Sequence, residues 1–159
     1  MKKSKLVIID GNSLMHRAFY ALPNLTNSKG LHTNVIYGFI NMLYKIREEF
    51  KPDYLGIAYD RKAATFRHEE YPEYKAGRLK MAEEMVEQIP VLKEVIAAMN
   101  IKQIEIDGYE ADDIIGTVSE LCTQKEVEAH IITGDRDAFQ LINEYVHVFI
   151  TKKGISEMI

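Results

Sequence analysis

The sequence predicts an α/β fold of three layers, with a mainly parallel central sheet of about five strands. Three observations carry that expectation. Strand-like and helix-like segments alternate along the chain, the pattern of successive βαβ units. The first strand-like run, Leu6 to Ile9, is apolar at consecutive positions, as a strand covered on both faces is. Strand-like runs close on turn residues: Asp10-Gly11, Asp60, Asp107-Gly108 and Gly134-Asp135. A chain of 159 residues suits one domain, 1–159, with a sizeable core, and no repeat, linker or low-complexity segment divides it.

In chain order, Leu6 to Asp10 reads as a buried strand, with Asn12 and Ser13 as caps for the next segment. Residues 14–22 suit a short helix or an irregular turn. Pro23, Asn24, Asn27, Gly30 and Asn34 mark a loop. A helix is expected from Val35 to Phe50, with Ile36, Phe39, Ile40, Leu43 and Ile46 on its apolar face and Pro52 as its stop. Tyr54 to Tyr59 is a second strand. Another helix is expected from Glu83 to Met99, ended by Asn100, and then a weaker strand from Ile101 to Ile106. Ala111, Ile114, Ile115, Val118 and Cys122 recur at helical spacing, so 110–124 is a helix with one apolar stripe. Ala129 to Thr133 is a strand, 137–143 a short helix, and Val146 to Ile150 the last strand.

Bulk numbers narrow the function. The net charge of −4 excludes a globally basic nucleic-acid binder, though not a local basic patch. A single cysteine forbids an internal disulfide, and Cys122 on the helix stripe reads as a core thiol. The apolar run after Lys2, Lys3 and Lys5 is too short for a leader or a membrane span, so a cytoplasmic protein with no membrane partner is expected.

Acids gather where such sheets bind ligands, beyond the carboxyl ends of the strands. Asp10 follows the first strand and Asp60 the second. Glu110, Asp112 and Asp113 follow the third, and Asp135 and Asp137 the fourth. Any one of them reads equally well as a turn residue or a helix cap. Together they are expected to converge on one edge. Two like charges about 4 Å apart repel by roughly 4 kcal/mol at an effective dielectric near 20, so a crowd of carboxylates calls for protons or cations. Hard divalent ions, Mg2+ or Mn2+, suit an all-oxygen set. Two such ions can hold a phosphodiester and activate water, with no side-chain nucleophile. No Cys/His pair has zinc-ligand spacing, and His130 and His147, both in strands, read as structural.

Residues 61–80 carry Arg61, Lys62, Arg67, Lys75, Arg78 and Lys80 against Glu69, Glu70 and Glu73, with Phe66, Tyr71 and Tyr74 interleaved. Tyr71, Tyr74, Lys75 and Arg78 share one face if the segment is helical. On a solvated helix this is an ordinary surface. Beside a metal centre it suits nucleic acid, with cations on phosphates and tyrosines on bases. Arg17, close behind the first acid turn, is a candidate phosphate contact.

Five stretches carry a family resemblance: IIDGNSLMHRAFYAL from Ile8, GLHTNVIYGF from Gly30, TFRHEEYPEYKAGR from Thr65, GYEADDIIGT from Gly108 and TGDRDAFQL from Thr133. Over essentially the whole chain the sequence resembles the N-terminal 5′-nuclease domain of bacterial DNA polymerase I, of the flap-endonuclease, PIN-like group. The resemblance implies 5′-3′ exonuclease and flap cleavage of DNA with Mg2+ or Mn2+, and association with a polymerase. It implies that Asp10, Asp60, Glu110, Asp112, Asp113, Asp135 and Asp137 are metal-site carboxylates. It makes 61–82 an arch-like insert and Arg67, Tyr74, Lys75 and Arg78 substrate contacts. Two departures stand out. Leu79-Lys80-Met81-Ala82 replaces a proline-containing stretch, and no aspartate follows Asp137. The family's further aspartate pair and helix-hairpin-helix element lie beyond residue 159. A half-complete second metal site and weak or absent activity of this chain alone are therefore expected.

Competing readings are a PIN-like endoribonuclease, separable by comparing flap DNA with single-stranded RNA, and a non-catalytic DNA-binding module. A haloacid-type phosphatase would want an acid at Asn12, and a receiver domain a partner acid beside Asp10.

Overall fold

A computed structural model describes residues 4–23, 25–61 and 83–151. The elements are β1 (Lys5–Asp10), α1 (Gly11–Ala21), α2 (Asn34–Phe50), β2 (Tyr54–Ala58), α3 (Glu83–Val86) and α4 (Ile89–Ala98). They continue with β3 (Lys102–Ile104), α5 (Ala111–Gln124), β4 (Glu128–Thr133), a 3₁₀ helix (Arg136–Leu141) and β5 (Val146–Ile150). The five strands form one sheet in the order β3-β2-β1-β4-β5, and every pairing is parallel. The α/β class and strand number match the sequence expectation.

The two-residue period of the strands builds the three layers. Val7, Ile9, Ile57 and Ile132 point to one face and bury against α1, α2 and α4. Ile8, Ala58, Ala129, Ile131 and Val146 point to the other and bury against α5. On the first face α2 supplies Val35, Phe39, Met42, Leu43, Ile46 and Phe50, all buried. Burying side chains of this size contributes about 1.5–3 kcal/mol each. Gly38 lets α1 lie close. A Cβ there would sit 2.9 Å from Ala18 Cβ. Lys51 closes α2 in the left-handed region, its N–H on Arg47 carbonyl oxygen, one residue before Pro52.

Local structure departs from expectation where side chains answer to the tertiary fold. The expected 83–99 helix is two helices. Gln88 interrupts it, fully buried, because its amide is needed elsewhere. Its Oε1 accepts from Val35 N (2.8 Å) and Ile36 N (3.2 Å), orphan donors at the start of α2. Its Nε2 donates to Asn34 Oδ1 and to Glu84 carbonyl oxygen, both at 2.8 Å. Residues 14–21 belong to a full helix, α1, that begins at Gly11, and Leu22 is its extended C-cap. Its N-cap is Asp10 rather than Asn12 or Ser13, since both of those side chains bond to other loops. The weak third strand is only Lys102–Ile104, at the sheet edge, and 136–141 winds as a 3₁₀ rather than an α-helix. Among the described residues, no helix is long and apolar enough to cross a membrane.

Candidate metal centre at the carboxyl edge of the sheet

The chain leaves β1 toward β2 and β3 on one side and returns to β4 and β5 on the other. The carboxyl ends of β1 and β4 therefore flank a switch point, where open α/β sheets bind ligands. Asp10 is the last residue of β1 and only 7% exposed. Its Oδ1 accepts from Ser13 N at 3.2 Å, and its Oδ2 from Thr133 Oγ1 at 2.9 Å. Its carboxyl is raised to about 7: burial is the main cause, the bonds from Thr133 and Ser13 oppose it, and the charges of Asp112 and Asp60 add to it. Gly11 must lack a side chain: a Cβ there would lie 2.5 Å from Tyr59 Cε1.

The loops around Asp10 are tied to one another by side chains. Asn12 Oδ1 accepts from Asp60 N at 2.9 Å, and Asp60 Oδ1 accepts from Ala111 N, joining α1, the end of β2 and the start of α5. Ser13 Oγ accepts from Gly134 N at 2.6 Å. Thr133 Oγ1 donates to Asp10 and accepts from Asp135 N at 3.1 Å, so one hydroxyl connects two of the acids.

The first turn of α5 holds the motif Glu110–Asp113. Glu110, 3% exposed, is the N-cap, and its N–H donates to Asp113 Oδ2 at 2.9 Å within a reciprocal capping box. Asp112 is exposed and faces Asp10 electrostatically. Asp135 caps the 3₁₀ helix, its Oδ1 accepting from Asp137 N at 2.9 Å, and Asp137 is exposed. Glu110 and Asp135 thus both serve as helix caps at this edge.

Asp10 ends β1, and the other six acids lie in the segments that follow the carboxyl ends of β2, β3 and β4. The carboxylates of Asp10, Asp60, Asp113 and Asp135 are turned toward backbone N–H groups of the same edge. Among the described residues, no three of the seven acids bring one oxygen each within 4.8 Å of one another. Arg17 donates through Nη2 to Thr151 carbonyl oxygen at 2.6 Å. It lines an open groove of about 850 Å3 with Ser13, His16, Tyr20, Asp135 and Thr151. Phe66, Arg67, Tyr71, Tyr74, Lys75 and Arg78, and the 61–82 insert apart from Arg61, lie outside the described residues. Sequence reasoning missed Thr133 and the tying role of Asn12. Neither had a local signal, since each bond joins elements that are neighbours only in the fold.

The chain belongs to the family described as 5′-3′ exonuclease, N-terminal resolvase-like domain, which it matches over residues 5–158. It is similar to DNA polymerase I of Bacillus caldotenax, 49% identical over 156 residues, covering 98% of this chain and 18% of the polymerase. The chain thus spans under a fifth of the curated relatives it matches. Its fold is similar to that of a zinc-bound bacteriophage T5 5′-exonuclease, with a TM-score of 0.69 at 22% identity, covering 92% of this chain and 55% of that one. A bacteriophage T5 flap endonuclease in complex with DNA and metal ions matches with a TM-score of 0.68 at 24% identity, covering 92% and 54%.

Proposed function

We propose that this chain is the metal-binding part of a divalent-metal-dependent 5′-nuclease that hydrolyses phosphodiesters at 5′ ends or flaps of DNA, in a protein that also carries a polymerase. The observation that carries the reading is Asp10, a buried carboxylate at the switch point with Asp60 and Asp112 as like-charged neighbours. The donor set around it is all oxygen, which fits a hard cation, Mg2+ or Mn2+. Asp10, Asp60 and Asp112 would hold one ion, with Glu110, Asp113, Asp135 and Asp137 at hand for it or for a second. Such an ion supplies activation of water and neutralisation of charge on the scissile phosphate.

The chain's own groups do the rest. Thr133 and Ser13 hold Asp10 ready to ionise. Arg17 stands at the rim of a groove that runs to Asp135, positioned for a phosphate. The metal-bound DNA complex of the similar-fold T5 flap endonuclease and the polymerase relatives support DNA as substrate.

The test is release of product from a 5′-labelled flap duplex with Mg2+ or Mn2+, by the longer, polymerase-bearing protein with Asp10 and by its Asp10→Asn variant, this chain alone being expected to cleave weakly or not at all. Divalent-dependent cleavage lost in the variant is expected. Equal cleavage by both, or cleavage indifferent to chelator, overturns the reading.

A further inference from the structure

At the opposite edge of the sheet, where β4 and β5 begin, a second set of metal-binding side chains comes together. The parallel register sets His130 beside His147, and the two-residue period puts Glu128 on the same face as His130. The two imidazole rings stack, 5.0 Å between centroids and 25° between planes. Nε2 of His147 lies 3.5 Å from Glu128 Oε1, and Nε2 of His130 lies 3.8 Å from the same oxygen. One donor atom from each of the three residues falls within 4.8 Å of the others.

His130 makes this more than a surface pair. The residue is 9% exposed, both ring nitrogens are buried, and neither has a hydrogen-bond partner. Phe50 and Phe149 flank the ring and offer none. A buried polar group left in that state is costly, and a metal–nitrogen bond is one way to relieve it. We propose that Glu128, His130 and His147 bind a borderline transition-metal ion of the zinc class, separate from the carboxylate centre.

The geometry is near what such an ion needs. Zinc takes imidazole nitrogen at about 2.0–2.1 Å and carboxylate oxygen at about 2.0–2.2 Å, so tetrahedral ligand atoms stand about 3.3 Å apart. The two nitrogen–oxygen separations exceed that by a few tenths of an ångström, and the two rings, 5.0 Å apart, would have to tilt toward one another to share an ion. The side chain of His147 is 42% exposed, which leaves the fourth position open to water. Lys5, the cation paired in register with Glu128, turns its Nζ onto Phe50 carbonyl oxygen at 3.0 Å. Two imidazoles with one carboxylate select zinc-like ions over Mg2+, whereas the far edge offers only oxygen. The site would pin edge strand β5 to β4, the strand that ends in Thr133.

The experiment is titration of the chain with zinc chloride in excess Mg2+, so that the carboxylate edge is already supplied, following imidazole nitrogens by long-range 1H–15N NMR. His130 and His147 should shift together, saturate at one equivalent, and leave His16, His32 and His68 unmoved. His147→Ala replaces a half-exposed side chain and keeps the core, so it should fold and lose the His130 shift. Glu128→Gln should weaken it. Thermal melting of the same samples should show zinc stabilisation in the parent chain and none in His147→Ala. Unmoved His130 and His147 resonances, or zinc stabilisation of the same size in His147→Ala, overturns the proposal.

Discussion

Replacing Asp10 by asparagine keeps the shape of the side chain, the acceptor for Ser13 N and a polar partner for Thr133, and removes the charge. The consequence for stability can be worked from burial. The carboxyl titrates near pH 7 in the fold against an ordinary value of 3.8. Below pH 4 the group is protonated whether the chain is folded or not, and parent and variant should be equally stable. Between pH 4 and 7 the unfolded chain releases this proton and the folded chain keeps it, so the parent loses stability as pH rises, at about 1.4 kcal/mol per pH unit. Above pH 7 the loss levels off at about 4 kcal/mol. Urea denaturation in chelator from pH 5 to 8.5 should therefore show Asp10→Asn more stable than the parent, with a gap that widens to neutrality and then holds. Adding Mn2+ at pH 8 should stabilise the parent more than the variant, because only the folded parent offers the full ligand set. A variant no more stable than the parent at pH 8 would refute the electrostatic reasoning. So would a gap of the same size at every pH.

Four further outcomes are expected. Thr133→Val removes the bond that pulls the Asp10 carboxyl down, so the pH-dependent loss of stability should extend to higher pH, with about 1–2 kcal/mol lost besides, read by the same denaturation series. Gln88→Ala strands the N–H groups of Val35 and Ile36 and should cost about 2–4 kcal/mol in chemical denaturation. Gly11→Ala drives a methyl into Tyr59 and Ile57 and should lower stability by about 1–3 kcal/mol, visible as a drop in Tm. Cys122 is buried, and burial pushes its thiol up, so a disulfide reagent should label it at the rate of unfolding and label it at once in denaturant.

The sheet was readable because Leu6–Ile9 and Ala129–Thr133 state their burial in consecutive apolar residues, and because each strand end carries its own turn chemistry. Element boundaries were less readable where one side chain serves two elements. Asp10 ends a strand and caps the next helix, and nothing in local propensity favours it over Asn12 or Ser13. Gln88 looks like any polar residue on a helix until α2 lies across it. The carboxylate edge could be inferred from acids that follow strands. The role of Thr133 could not, since it depends on β1 and β4 being neighbours. Glu128, His130 and His147 are the clearest case. Their spacing along the chain carries no metal signature, and only the pairing of β4 with β5 brings the two histidines side by side.

Both sides of the 62–82 stretch are firmly held. Before it, Asp60 is bonded through its N–H to Asn12 and through its carboxylate to Ala111. After it, Met85 is buried and Gln88 is bolted to the start of α2. Chain joined to a scaffold at two such abutments weighs on folding mainly through closure entropy, which grows by only about 0.6 kcal/mol when its length doubles. A change of length between the abutments would therefore weigh little on the sheet, whereas the bond from Ala111 N–H to the Asp60 carboxylate ties the end of β2 directly to the first turn of α5.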